Sequence, residues 1–162
     1  YEKPAVQKER FAYQINLARE LNKPLVVHVR EAKKETLDIL KAEKAGEMGG
    51  IIHCFTEDWE MATQAMDLGF HIGFSGIVTF NSAKTLKEVA KKMPRERILV
   101  ETDCPFLAPV PYRGKPNQPA YVSHVAKAIA TLRNESEELV ENYTTENFFQ
   151  LFPSTREFLE HE

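Results

Sequence analysis

Three side chains of the kinds that bind metal ions follow short apolar runs in the sequence. His28 follows Leu-Val-Val, His53 follows Ile-Ile, and Asp103 is the third residue after Ile-Leu-Val. Imidazole and carboxylate groups are costly to bury unless they are paired or coordinated. Two imidazoles and one carboxylate suit a divalent ion such as Zn²⁺, Mn²⁺ or Mg²⁺, which activates water and neutralises phosphate. We therefore predict that His28, His53 and Asp103 are metal ligands.

Each of the three positions falls at or near the end of a predicted β-strand. Apolar runs predict four strands, at 25–28, 51–55, 70–76 and 97–103. Helical spacing of apolar residues predicts helices at 4–22, 32–44, 58–68, 82–92, 119–133, 136–143 and 145–152. Strands that alternate with helices indicate a parallel α/β sheet with helical crossovers.

Two architectures fit four strand–helix units. One is an open doubly wound sheet, and the other is part of an eight-stranded α/β barrel, which takes about 250 residues when complete. In a barrel the carboxyl ends of all strands meet at one mouth, where active sites form. Ligands that are 25 and 50 residues apart in the sequence would then lie close together in space.

Each candidate ligand also has an ordinary explanation. A single histidine at a strand end is more often a hydrogen-bonded core or surface residue, and Asp103 before Cys-Pro suits a turn. The recurrence of these residue types at one position of the strand–helix repeat favours the metal site. Glu101 alternates with Asp103 along the predicted strand, so it could support the ligands from behind or form an ion pair inside a barrel.

Cationic and amide side chains near the predicted mouth suit a phosphate group. Arg30 follows His28 by two residues, and Arg113, Lys115 and Asn117 lie on the loop after the last strand. These four residues are candidates for substrate binding. The alternatives are an ion pair of Arg30 with a carboxylate and a solvated loop in which Asn117 caps a helix.

Composition limits the possible partners and the compartment. The net charge of −3 gives no global basic signature, so a contact with DNA must come from a local patch or a bound ion. No apolar run approaches the roughly 18 residues of a membrane span, so no membrane partner is predicted. Cys54 and Cys104 lack the spacing of a disulfide framework, and we expect free, mostly buried thiols in the cytoplasm.

Five segments resemble those of the TatD family of metal-dependent deoxyribonucleases, a TIM-barrel branch of the amidohydrolases. They are VVHVR (26–30), IIHCF (51–55), GFSGIVTF (73–80), ILVETDCPFLAP (98–109) and RGKPNQPAYV (113–122). The resemblance implies a barrel fold, divalent metal ions and DNA as the substrate. It also implies that His28, His53 and Asp103 are metal ligands and that Asp103 is catalytic, orienting or deprotonating the attacking water.

Two metal-binding motifs of this family are not found in the sequence. The family also uses an H-x-H pair on its first strand and a Glu after its fourth, and neither is found among these 162 residues. The resemblance therefore implies the four C-terminal β/α units of a barrel at residues 1–153, with a tail at 154–162. We expect the missing N-terminal half or self-association to cover the open sheet edges. The alternatives are another amidohydrolase-type metal hydrolase, or a half-barrel that is catalytically incomplete.

Overall fold

Four short parallel strands alternate with helices in the computed structural model, which describes residues 2–156. The strands are β1 (Leu25–His28), β2 (Gly50–His53), β3 (Phe70–Phe74) and β4 (Ile98–Val100). The main helices are α1 (Pro4–Leu21), α2 (Lys33–Ala42), α3 (Trp59–Asp67), α4 (Lys84–Lys92), α5 (Val122–Arg133) and α6 (Glu137–Leu151). Within this part of the chain, no helix is both long and apolar enough to cross a membrane.

The sheet has the strand order β1-β2-β3-β4, with every neighbouring pair parallel. A doubly wound sheet reverses its strand order at a switch point, whereas a barrel adds each strand beside the last. The consecutive order therefore agrees with the predicted barrel type. Among the described residues, β1 and β4 each pair on one side only, which leaves both outer edges of the sheet open.

The two faces of the sheet have different environments. Ile52, Ile72 and Ile98 are fully buried and belong to the core that the helices cover. Strand residues alternate between faces, so Val26 and His28 point to the opposite side of the sheet from Val27. Val26 is 62% exposed. We call this second face, which also carries Ile51 and His53, the site face.

The predicted bounds of several elements differ from the observed ones by one to three residues, and two differences matter most. The fourth strand ends at Val100, and Asp103 lies in the following loop with a positive φ of 56°. The last ladder contact there is the Glu101 N–H to the Phe74 carbonyl, at 3.0 Å. Residues 136–143 and 145–152 are not two helices, since α6 runs through Thr144, whose hydroxyl donates to the Val140 carbonyl at 2.9 Å.

The structure describes residues 154–156 of the predicted tail at 154–162. Pro153–Thr155 forms a short 3-10 turn, and Arg156 donates to both carboxylate oxygens of Glu146 at 2.8 Å. The boundary between domain and tail after residue 153 stays a prediction. Residues 157–162 lie outside the described part of the chain.

An arginine with a largely buried side chain holds the end of α4, just before the segment that leads into β4. Arg133, at the end of α5, is 9% exposed and donates to the carbonyls of Ala90, Lys91 and Met93 at 2.7–3.2 Å. These carbonyls lie at the end of α4, where helical partners are missing. The Arg133 Nε donates to Glu135 at 3.1 Å. One guanidinium therefore joins the end of α4 to the end of α5, just before the segment that leads into β4.

We predict that Arg133→Met lowers the free energy of unfolding by about 3 kcal/mol or more. The substitution keeps the apolar bulk but leaves a 9% exposed carboxylate and three helix-end carbonyls without this partner. Urea unfolding followed by circular dichroism measures the change.

Arg95→Met is the matched control, because Arg95 pairs with the same carboxylate from a side chain that is 50% exposed. An exposed ion pair contributes about 1 kcal/mol or less. Equal losses for the two variants would contradict the anchoring role of Arg133.

Candidate functional site

The carboxyl ends of β1 and β2 bring two predicted ligands side by side. His28 and His53 are register partners in the parallel ladder, and their ring centroids are 5.8 Å apart. The apolar strands dictate this pairing, because Val27 and Ile52 must both point into the core beneath the helices. The histidines that follow them therefore both lie on the site face.

The imidazole of His53 lies between two carboxylates. Its Nδ1 is 2.8 Å from Glu101 Oε1, and its Nε2 is 3.4 Å from Asp103 Oδ1. A neutral imidazole that donates its Nδ1–H to Glu101 presents an unprotonated Nε2, which is the form that binds metal ions. The strand ends thus bring together His53, Asp103 and a carboxylate that orients the ring.

The distance between Nε2 and Oδ1 fits a shared cation. Two ligand atoms that are each about 2.1 Å from one tetrahedral ion lie about 3.4 Å apart. An unprotonated ring nitrogen and a carboxylate oxygen repel each other unless a proton or a cation lies between them. His53 and Asp103 are therefore suitable ligands for a divalent ion.

The other predicted ligand is adjacent but does not converge with these two. His28 is exposed, and its ring is tilted by 46° relative to His53. In residues 2–156, no group of three or more His, Cys, Asp or Glu side chains is arranged to hold a metal ion. His53 and Asp103 are placed to share an ion, and His28 lies beside them without facing the same point. The assignment of all three as ligands stays a proposal.

Glu101 occupies space that a glycine leaves free. Its Oε1 accepts the backbone N–H of Cys54 at 2.8 Å in addition to the His53 ring. A Cβ added at Gly73 would lie 2.6 Å from Glu101 Oε2, so the carboxylate passes directly over this glycine of β3. Burial raises the pKa of Glu101, and the neighbouring His53 opposes that rise. Glu101 therefore pairs with His53 on the site face, where it can support this proposed ligand.

The chain takes an unusual turn at each strand exit that carries a candidate ligand. Glu31, Cys54 and Asp103 have φ values of 53°, 47° and 56°, in the left-handed region that non-glycine residues rarely adopt. Such conformations cost of order 1–3 kcal/mol each and cluster at functional sites. At Cys54 the turn directs the backbone N–H to Glu101 at 2.8 Å.

The predicted substrate residues have different surroundings. Arg30 is exposed two residues beyond His28, and Lys115 is also exposed. The Arg113 guanidinium carbon lies 4.2 Å from the centre of the Phe80 ring, which holds this cation by a cation–π contact. None of the three takes part in the ion pairs found within the described residues. Their charges remain available for an anion.

Asn117 has a structural place instead. It is 6% exposed, and its Nδ2 donates to the carbonyls of Thr102 and Phe106 at 2.8 and 2.7 Å. Its Oδ1 accepts the N–H of Gln118 at 2.9 Å. The amide is therefore fully used by the backbone, and its part in the site is to hold the loop beside Asp103.

Three further side chains of the kinds that bind metal ions lie outside the proposed ligand set. Cys54 is buried, with its Sγ 3.4 Å from Ser75 Oγ, and burial raises its thiol pKa. Cys104 is exposed, so packing explains only the first of the two cysteines. His71 is buried on β3, and burial lowers its pKa. Its Nδ1 has no hydrogen-bond partner among residues 2–156.

We predict a strong energetic coupling between Gly73 and Glu101. Gly73→Ala should lower the free energy of unfolding by about 1–3 kcal/mol, because the new methyl collides with the Glu101 carboxylate. In a Glu101→Ala background the same substitution should cost much less, since the 2.6 Å collision is gone and only the 3.3 Å contact with Ile51 Cγ2 remains. Urea unfolding of the four proteins in this double-mutant cycle gives the coupling energy. Additive costs would contradict the placement of the carboxylate over Gly73.

Comparison with known proteins agrees with the fold and the strand-end motifs. The sequence profile of the TatD related DNase family matches residues 1–153. The chain is 53% identical over 146 residues to the uncharacterized metal-dependent hydrolase YcfH of Escherichia coli K12, covering 90% of this chain and 55% of the relative. It is 49% identical over 147 residues to the uncharacterized metal-dependent hydrolase YabD of Bacillus subtilis 168, covering 91% of this chain and 58% of YabD.

A solved structure shows the same architecture. The crystal structure of YjjV, a TatD homologue from Escherichia coli K12, matches with a TM-score of 0.82 and 26% identity, over 93% of this chain and 59% of that protein. The chain therefore spans little more than half the length of these relatives. The predicted family and the predicted barrel-type fold are both confirmed. The chain belongs to the TatD related DNase family.

Proposed function

We propose that this chain supplies part of the active site of a metal-dependent hydrolase that cleaves phosphodiester bonds in DNA. The observation that carries the proposal is the His53 imidazole held between Glu101 and Asp103 at the carboxyl edge of a parallel sheet. In barrel enzymes this edge is where catalytic groups meet. Membership of the TatD related DNase family supports DNA as the substrate class.

His28, His53 and Asp103 would hold the metal in this proposal. A divalent ion bound there supplies Lewis acidity and lowers the pKa of its water toward neutrality. Asp103 is the catalytic residue, because its second carboxylate oxygen has no hydrogen-bond partner within residues 2–156 and can accept a hydrogen bond or a proton from the attacking water. Glu101 keeps the His53 ring in the tautomer whose Nε2 faces Asp103.

Arg30, Arg113 and Lys115 would bind the phosphate of the substrate. Guanidinium groups bind phosphate through paired hydrogen bonds, and an exposed ammonium contributes a point charge. The loop of Arg113 and Lys115 returns to the site through Asn117, which bonds the Thr102 carbonyl next to Asp103 at 2.8 Å. The protein's net charge of −3 makes such local cations necessary for an approach to DNA.

The unpaired outer edges of the sheet can each pair with a further strand. The outer edges of β1 and β4 are unpaired within residues 2–156, and exposed edges invite pairing with another strand. We propose that the remaining part of a barrel, or a second copy of this chain, covers them. The free thiols of Cys54 and Cys104 are in keeping with a cytoplasmic location.

We predict divalent-metal binding and metal-dependent DNA cleavage that both depend on Asp103. Elemental analysis should find metal in the purified protein and much less in His53→Ala and Asp103→Ala. Cleavage of an end-labelled single-stranded oligonucleotide should stop when a chelator removes the metal and return when Mn²⁺, Zn²⁺ or Mg²⁺ is added back. Asp103→Asn should reduce cleavage by about 10²-fold or more, the effect of losing a general base. Arg113→Ala and Lys115→Ala should each raise KM by roughly tenfold, the effect of one lost charge-assisted hydrogen bond.

Arg10→Ala is the control for charge, since Arg10 is 71% exposed on α1, outside the site. It should leave KM unchanged. Cleavage that persists in excess chelator, or equal metal content in wild type and both alanine variants, would contradict the proposal.

A further inference from the structure

One aromatic side chain next to the site projects into solvent. Phe106 is 69% exposed, the highest value for a large hydrophobic side chain among residues 2–156. Scattered exposed hydrophobic residues are common on protein surfaces, so exposure alone has no functional meaning. The position of Phe106 and the rigidity of its loop are what set it apart.

Phe106 lies one tight turn away from the catalytic Asp103. The Phe106 N–H donates to the Asp103 carbonyl at 3.0 Å, which closes a four-residue turn. The α-carbons at the two ends of such a turn are less than about 7 Å apart. A ring attached to one end can therefore contact a substrate held at the other.

The loop that carries the ring is anchored on its inner side. Asn117 accounts for one anchor, since its Nδ2 donates to the Phe106 carbonyl at 2.7 Å and its N–H donates to the Pro105 carbonyl at 3.0 Å. Ser75-Gly76 forms the other, because a Cβ at Gly76 would lie 2.0 Å from the Leu107 carbonyl oxygen. The backbone on both sides of Phe106 is thus fixed while its side chain is left free.

The same loop combines an aromatic face with cations. Arg113 and Lys115 follow Phe106 within nine residues and lie on the loop that Asn117 ties to Thr102. Cations bind phosphates, and an exposed aromatic ring stacks on nucleobases, which is the combination found in proteins that bind single-stranded nucleic acid. A ligand with phosphate alone would give the ring no partner.

We propose that Phe106 stacks on the nucleobase next to the phosphodiester bound at Asp103, and so positions single-stranded DNA in the site. This inference rests on the proposed function and adds the contact that selects a base-bearing substrate. Stacking of one base on an aromatic ring strengthens binding by roughly 5- to 150-fold. Phe106 thereby acts by binding the substrate, and Asp103 remains the residue that handles the proton.

The test uses the metal-loaded protein and two fluorescent phosphorothioate oligonucleotides, one with all its bases and one with abasic sites throughout. Fluorescence anisotropy measures both affinities. Wild type should bind the base-bearing strand on the order of tenfold more tightly than the abasic one. Phe106→Ala should remove that difference without weakening abasic binding, and Phe106→Trp should restore it.

Phe148→Ala is the matched control, because Phe148 is also exposed, at 41%, but lies on α6 away from the loop. It should bind both strands as wild type does. Equal affinity of wild type for the two strands would overturn this inference alone, as would a Phe106→Ala variant that keeps the preference. Failure of wild type to bind either strand would overturn both this inference and the proposed function.

Discussion

The hydrogen bond between His53 Nδ1 and Glu101, 2.8 Å long, is the contact on which the rest of the candidate site depends. It determines which ring nitrogen faces Asp103, and it places that nitrogen at a spacing suited to a shared ion. The same carboxylate also accepts the Cys54 N–H, which holds the chain in its turn just beyond His53. Ring orientation and backbone direction at the end of β2 therefore have one common cause.

The sheet makes this contact possible through its register and through one missing side chain. Parallel pairing sets β3 between the strand of His53 and the strand that leads to Glu101, so the two residues can meet only across β3. Gly73 on that middle strand leaves the space which the Glu101 carboxylate fills. On the other face, Ile52, Ile72 and Ile98 are fully buried, which prevents the strands from slipping by one residue. Because strand side chains alternate between the two faces, the packing that buries the isoleucines also places His28 and His53 on the site face.

The loop after β4 positions the other residues of the candidate site. Asn117 is buried and bonds three backbone groups, so the loop that carries Asp103 and Phe106 at one end and Arg113 at the other is held as a unit. Arg113 is further placed by its stacking on Phe80. A rigid loop of this kind loses little conformational entropy when a ligand binds, which favours affinity for the substrate.

The four strands could be predicted from the sequence because apolar runs are local patterns. That His28 and His53 lie close together could be predicted from the alternation of strands with helices, which makes the sheet parallel and brings the strand ends to one edge. The role of Glu101 could not be settled, since it depends on a glycine 28 residues earlier in the chain. The sequence predicts that Asn117 binds the substrate, whereas its side chain is buried, because a buried amide and an exposed one look alike in a sequence. The break expected within α6 is absent, since the helix runs through Thr144, whose hydroxyl bonds the Val140 carbonyl one turn earlier.

The central claim is that Glu101 holds His53 with its proton on Nδ1. Long-range ¹H–¹⁵N correlation NMR of the histidine-labelled protein distinguishes the two tautomers of a neutral imidazole ring. The account predicts that His53 carries its proton on Nδ1 in the wild type and loses this preference in Glu101→Ala. A His53 ring protonated on Nε2 in the wild type would contradict the account.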